Sequence, residues 1–160
     1  MSNMGFELAM KEKGVEFLRT PVGDRYVSLE MRNRNASIGG EQSGHIILSK
    51  YNTTGDGMLT SAVVASILKR SSRPLSEMSQ IFKSIPQILI NVKVEDKEAW
   101  KKSEEVTSLI DSYSKQLEGR GRILIRPSGT EQLVRVMVEG DKDEETKEIA
   151  NKIADKIKEL

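Results

Sequence analysis

The densest set of anion donors in the sequence is the run Arg126-Pro127-Ser128-Gly129-Thr130-Glu131-Gln132, with Arg135 shortly after it. Arginine offers N–H groups in a fixed planar fork, and Ser128 and Thr130 offer hydroxyls. Ser128, Gly129 and Thr130 can add backbone N–H groups, while Pro127 supplies none and stiffens the entry. Convergent amides, hydroxyls and guanidinium groups hold a phosphate dianion without a metal. A polar hairpin with surface arginines would use the same residue types. Three kinds of donor within so short a run favour the anion site.

A second run, Gly39-Gly40-Glu41-Gln42-Ser43-Gly44-His45, suits a neutral polar ligand. Its glycines permit positive φ and close approach of backbone to ligand. Glu41 brings a two-oxygen acceptor, Ser43 a donor and an acceptor, and Gln42 both, which matches vicinal hydroxyls that each give and receive a hydrogen bond. His45 is the only histidine of the chain, and its charge can change near neutral pH. A tight strand-to-strand connection whose glycines serve only the turn fits these residues as well, and both readings stay open. One histidine and no cysteine do not make a zinc shell. Gly55-Asp56-Gly57 has a single carboxylate and reads as a helix cap rather than a metal loop. The run from Glu95 to Glu105, EDKEAWKKSEE, reads as a solvated face on which Trp100 docks its apolar side.

Periodicity sets these loops on elements. Ile88, Ile90, Val92 and Val94 alternate, as do Ile123 with Ile125, and Val134, Val136 and Val138, predicting three half-buried strands. Arg122, Leu124 and Arg126 then fall on the face opposite Ile123 and Ile125, and Arg135 alternates likewise, so two strands joined by the turn bring both guanidinium groups near it. A helix is expected from Ser103 to Glu118, with Val106, Leu109, Ile110, Tyr113 and Leu117 inward and Gly119 as its stop. Another should open at Asp141, with Glu144 in a capping box and Ile149, Ile153 and Ile157 inward. Residues 84–160 therefore read as a compact α+β domain, an antiparallel sheet with helices on one face.

Residues 1–83 read as an α/β segment. Helices are expected over Gly5–Lys13, Asp24–Arg32 and Gly57 to about Arg70, with a short one from Pro74 whose stripe is Leu75, Met78 and Phe82. Val15–Thr20 resembles a strand, and two more flank the glycine loop, the second over Ile46, Ile47 and Leu48. Met58, Leu59, Ala62, Val63, Ala65, Ile67 and Leu68 leave the Gly57 helix almost no polar face, which predicts burial. The helices outnumber the strands they should cover, as if a partner strand were missing.

Composition excludes several classes. The chain of 160 residues carries 25 Lys and Arg against 24 Asp and Glu, a net charge of +1. That balance argues against a nucleic-acid partner held by broad phosphate neutralisation, but not against a small anion held by a few local cations. Without cysteine neither disulfides nor thiolate catalysis is available. No apolar run approaches the roughly 20 residues of a membrane span, and the start MSNMGFELAMKEKG lacks a signal-peptide layout. A cytoplasmic protein with no membrane partner is the expectation.

Taken together, SNMGFELAMKEKG, VGDRYV, GGEQSGHIILSKYNTTGDG and GRILIRPSGTEQLVRVMVEG resemble the α-D-phosphohexomutase superfamily, most closely the bacterial phosphoglucosamine mutases, in the family's order and over nearly the whole chain. The resemblance implies the third (partial, with a mixed sheet) and fourth of four domains around a central cleft. It implies that Glu41 and Ser43 contact sugar hydroxyls, with His45 beside the reacting end as a possible proton relay. Arg126, Ser128, Gly129, Thr130 and Arg135 would bind the phosphate that is not being transferred. A TASHNP-like phosphoserine setting and a DGDADR-like Mg²⁺ loop, which the family carries in its first two domains, do not occur in this chain. The expected ligands are a hexosamine phosphate and its bisphosphate intermediate. The expected partners are the missing N-terminal domains, with self-association through exposed apolar surface. The chain alone is expected to be inactive. Gln132 stands where relatives usually have proline. Competing readings are a phosphomannomutase or phosphoglucomutase, and a non-catalytic module that binds a phosphorylated metabolite.

Overall fold

The computed structural model describes residues 1–160, which divide into two compact units, Met1–Lys83 and Ser84–Leu160. The second unit is built on strand alternation. β3 (Gln87–Lys93), β4 (Gly121–Pro127) and β5 (Leu133–Gly140) form an antiparallel sheet in the order β3-β5-β4, with β5 central. α5 (Ala99–Lys102) and α6 (Glu104–Gln116) connect β3 to β4, and α7 (Asp143–Lys158) follows β5. Val92, Val134, Val136 and Val138 pack against Val106 and Leu117, and against Ile149, Ile153 and Ile157 of α7, with Ile88, Ile90, Val94, Ile123 and Ile125 around them. The alternating apolar sets thus share one face, covered by helices, and the intervening residues point to the other.

Local signals place the helix ends. The Ser103 side chain accepts from the Val106 N–H and opens α6, a cap of the kind that contributes about 1 kcal/mol. Gly119, at φ 77°, lies beyond its end in the left-handed region that glycine tolerates. The last helix differs from expectation. It starts at Asp143 with Lys142 as its N-cap residue and no side-chain cap. Asp141 cannot act as the cap because its carboxylate is held by Arg120 at 2.8 Å. The one-turn α5 around Trp100 was not apparent from the charged run that contains it.

The first unit contains α1 (Met4–Glu12), α2 (Asp24–Arg34), the antiparallel strands β1 (Ile38–Gly40) and β2 (Ile46–Leu48), α3 (Gly57–Ser71) and α4 (Leu75–Met78). α2 lies on the small sheet through Val27 and Met31, which meet Ile47; a Cβ at Gly39 would overlap both α2 side chains. The Asp56 carboxylate accepts from the Leu59 N–H at 2.9 Å and starts α3 as expected. Pro74 is the N-cap of α4 rather than its first residue.

Two expectations fail here. Val15–Thr20 is not a strand, because no strand of the unit pairs with it. Side-chain contacts hold it to α1 instead: Phe17 meets Phe6 edge-on at 5.5 Å, and Arg19 pairs with Glu7 at 2.6 Å. α3 has no buried residue, and Met58 is 86% exposed. A two-stranded sheet of three-residue strands offers too little surface to cover a helix of 15 residues. Twelve of the fourteen exposed large apolar residues lie in Met1–Lys83, so the unpartnered apolar surface belongs to this unit. No helix is long and apolar enough to cross a membrane.

Two outcomes follow for the second unit. Ile153 is fully buried, so Ile153→Ala should destabilise it by about 2–5 kcal/mol, measured by urea denaturation. Arg120, helped by Gln116, holds the Glu145 carboxyl down to about 2. A depressed carboxyl contributes stability that is present above its unfolded value of about 4.3 and lost as pH falls through its folded one. The urea midpoint of the wild type should therefore fall more steeply between about pH 5 and pH 2 than that of Glu145→Gln; parallel profiles would remove this role.

Candidate functional site

The turn between β4 and β5 inherits its geometry from their register. Arg126 lies directly opposite Arg135, and Asn91 of β3 lies opposite Arg135 on its other side. Directly paired residues share a face, here the one away from α6 and α7. Two guanidinium groups are thus set side by side, and both are only partly exposed. Arg126 is pushed below its ordinary value, first by loss of solvent and then by the positive charge of Arg135. No carboxylate lies within ion-pair distance of Arg126. Glu131 reaches one terminal nitrogen of Arg135 at 3.2 Å, while Arg135 Nε is buried without a hydrogen-bond partner. An anion between the arginines would relieve both conditions.

The donors of the turn are not all free. The Ser128 N–H is taken by the Leu133 carbonyl at 2.9 Å, so this amide, counted as a donor from the sequence, is spent in closing the hairpin. The buried Ser128 hydroxyl accepts from the Glu131 N–H at 3.3 Å and keeps its own proton to donate. Gly129 and Thr130 are exposed, and neither their N–H groups nor the Thr130 hydroxyl is engaged by the protein. The turn therefore presents the Arg126 fork, the Ser128 and Thr130 hydroxyls and the Gly129 and Thr130 amides. Sequence reasoning missed the contact of Lys97 with the Ser128 carbonyl, 3.0 Å away, because a lysine in a charged run looks solvated.

In the first unit, β1 and β2 are joined by the glycine loop. The Glu41 N–H donates to the His45 carbonyl at 2.9 Å and the Gly44 N–H to the Glu41 carbonyl at 3.0 Å. Gly44, at φ 93°, makes that tight return possible. Glu41 Oε1 accepts from the Gly23 N–H at 2.9 Å, which pins the start of α2 to the loop; Oε2 has no protein donor. Ser43 and Gln42 are exposed, and their side chains make no hydrogen bond to the protein. His45 is half-exposed, with Nε2 3.8 Å from Asp24 Oδ2, and its ring lies where a Cβ on Gly55 would stand. Gly44, His45, Ile46, Gly55, Asp56 and Gly57 line a small open cavity. The loop thus brings Glu41 and His45 beside the start of α2, with acceptor and donor capacity unspent. The part played by Asp24 and Gly55 has no signature in sequence spacing.

Comparison with known proteins gives this geometry a family. The model for phosphoglucomutase/phosphomannomutase, alpha/beta/alpha domain III, matches residues 1–85, and that for the phosphoglucomutase/phosphomannomutase C-terminal domain matches residues 89–156. The phosphoglucosamine mutase of Staphylococcus haemolyticus is 51% identical over 157 residues, 98% of this chain and 35% of that protein. That of Shouchella clausii is 53% identical over 159 residues, 99% of this chain and 36% of that protein. The chain thus spans about a third of the length of the curated relatives it matches. Among solved structures, Aspergillus fumigatus N-acetylphosphoglucosamine mutase in complex with glucose 1,6-bisphosphate aligns with a TM-score of 0.80 at 20% identity, over 99% of this chain and 37% of that one. The same enzyme with GlcNAc-6P and magnesium aligns with a TM-score of 0.76 at 19% identity, over 96% of this chain and 39% of that one. At such identity the likeness is one of fold. From its two matched domains, the chain belongs to the phosphoglucomutase/phosphomannomutase family of phosphohexomutases.

Proposed function

We propose that this chain supplies the substrate-gripping half of a phosphoglucosamine mutase, which interconverts glucosamine 6-phosphate and glucosamine 1-phosphate in the cytoplasm. The observation that carries the reading is the pair Arg126 and Arg135, opposed across β4 and β5, with Arg126 lacking any counter-ion. Phosphate is the ligand that satisfies such a pair together with hydroxyls and amides from one turn. Sequence identity of about half to phosphoglucosamine mutases supports glucosamine over mannose or glucose as the sugar.

In this reading Arg126, Arg135, Ser128, Gly129 and Thr130 hold the phosphate that is not being transferred. Glu41, through its unengaged Oε2, and Ser43 bind hydroxyls of the hexosamine. His45, whose Nε2 lies 3.8 Å from Asp24 Oδ2, carries a proton at the reacting end. Phosphoryl transfer is governed by positioning and charge stabilisation; a turn that accepts either phosphate of a bisphosphate intermediate lets the sugar bind in both orientations. The nucleophilic serine and the magnesium ligands belong to other parts of the family's enzymes. No three His, Asp or Glu side chains gather in this chain to hold a metal. The exposed apolar side chains of Met1–Lys83 support further chain, or a second copy, as its packing partner.

Calorimetry tests the reading. Arg126→Ala should weaken glucosamine 6-phosphate binding by about tenfold or more, since a charge-assisted contact is worth roughly 1.5–3 kcal/mol; unchanged affinity would remove the assigned site. The chain on its own, given Mg²⁺ and glucosamine 1,6-bisphosphate, should bind without turnover. Conversion of the 6-phosphate to the 1-phosphate would show that it carries a nucleophile not identified in this reading.

A further inference from the structure

The segment after β3 is laced to the anion turn. Lys97 Nζ donates to the Ser128 carbonyl at 3.0 Å and reaches that of Glu131 at 3.5 Å. Gln132 Nε2 returns a bond to the Glu95 carbonyl at 2.6 Å, and the Val94 N–H meets the Gln132 carbonyl at 3.5 Å. Three lysines occupy this charged run, and they are used differently. Lys101 pairs with Glu98 and Lys102 with Asp96, whereas Lys97 has no carboxylate partner and is spent on backbone carbonyls. An ammonium held against peptide oxygens while carboxylates lie close by in sequence has a use other than charge balance.

Peptide planarity supplies that use. The Ser128 C=O and the Gly129 N–H belong to one trans peptide unit, so they point in opposite directions. Holding the carbonyl toward Lys97 turns the Gly129 N–H away from it, and this N–H has no acceptor in the protein. Restraint is needed because Gly129 is conformationally free: a Cβ there would meet nothing within 4 Å, so packing does not fix the unit. A charged donor on the carbonyl also polarises the peptide and strengthens its N–H as a donor.

We propose that Lys97 is a positioning residue of the anion turn, locking the Ser128–Gly129 peptide so that the Gly129 amide is presented to a phosphate oxygen. This rests on the reading of the turn as a phosphate site. Lys97 does not touch the ligand; its influence passes through one peptide plane, and the Gln132–Glu95 bond keeps the two segments in reach.

Amide and guanidinium NMR of the full chain titrated with inorganic phosphate tests it. In the wild type, the Gly129 and Thr130 amides and Arg126 Nε should shift saturably, with Gly129 moving downfield as it donates. Lys97→Met should weaken binding by about tenfold and abolish the Gly129 shift at saturation, with Thr130 and Arg126 still responding. Lys97→Gln should behave alike, Lys97→Arg should restore the shift, and Lys102→Met should resemble wild type. A full Gly129 shift at saturation in Lys97→Met or Lys97→Gln would reduce Lys97 to a distant charge and overturn the proposal. No saturable shift at any of the three positions in the wild type would instead sink the phosphate reading itself, before any variant is made.

Discussion

Two positive charges held next to each other govern the second unit. Arg126 and Arg135 face one another across adjacent strands, where like charges repel, and both are partly withdrawn from water. Only Glu131 offers compensation, to Arg135 alone. Such an arrangement persists because the apolar side of the same strands is committed to α6 and α7. Val134 and Val136, which flank Arg135, are fully buried, and Ile125, beside Arg126, packs on the same core, so turning either arginine off its face would pull its neighbours out of the core. Packing on one face thus holds an electrostatically unfavourable arrangement on the other, and the unfavourable term is what a dianion removes.

The glycine loop of the first unit follows a different logic. Its key carboxylate is half-committed, since Glu41 Oε1 holds the start of α2 through the Gly23 N–H. That bond is structural, but it also fixes where Oε2 points. His45 is placed in a similar way by what is absent: Gly55 has no Cβ, and the imidazole occupies the space. Here unspent polar capacity and architecture are shared within single side chains, whereas the β4–β5 turn divides them, Ser128 N–H closing the hairpin and Gly129 N–H remaining open.

The alternating apolar residues of β3, β4 and β5 were enough to predict which way Arg126 and Arg135 point, because a face assignment depends only on a period of two. Helix starts at Asp56 and Ser103 were equally readable, each being a local bond between a side chain and a nearby amide. Properties that depend on distant partners were not readable. Val15–Thr20 has the composition of a strand but no neighbour to pair with, and α3 has the composition of a buried helix but too small a sheet beneath it. Asp141 looked like a cap until Arg120, 21 residues earlier, took its carboxylate. Lys97 sits 31 residues from the carbonyl it holds, in a run whose composition suggests only solvent. Recognition of the family rested on whole stretches in order rather than on any of these single residues.

The strand pairing that brings Arg126 and Arg135 together also limits how this hairpin can vary. Inserting or deleting one residue within β4 or β5 would send one arginine to the hydrocarbon side and a valine or isoleucine to the other, so a single event would ruin the core and the arginine pair alike. The tip at Gly129 and Thr130, exposed and sterically open, lies outside the paired residues, so a change there would leave the register intact and fall on the unengaged donors of the turn instead. Arm length and tip chemistry are thus separable: a change of arm length acts on both faces of the sheet at once, whereas a change at the tip acts on the exposed turn alone.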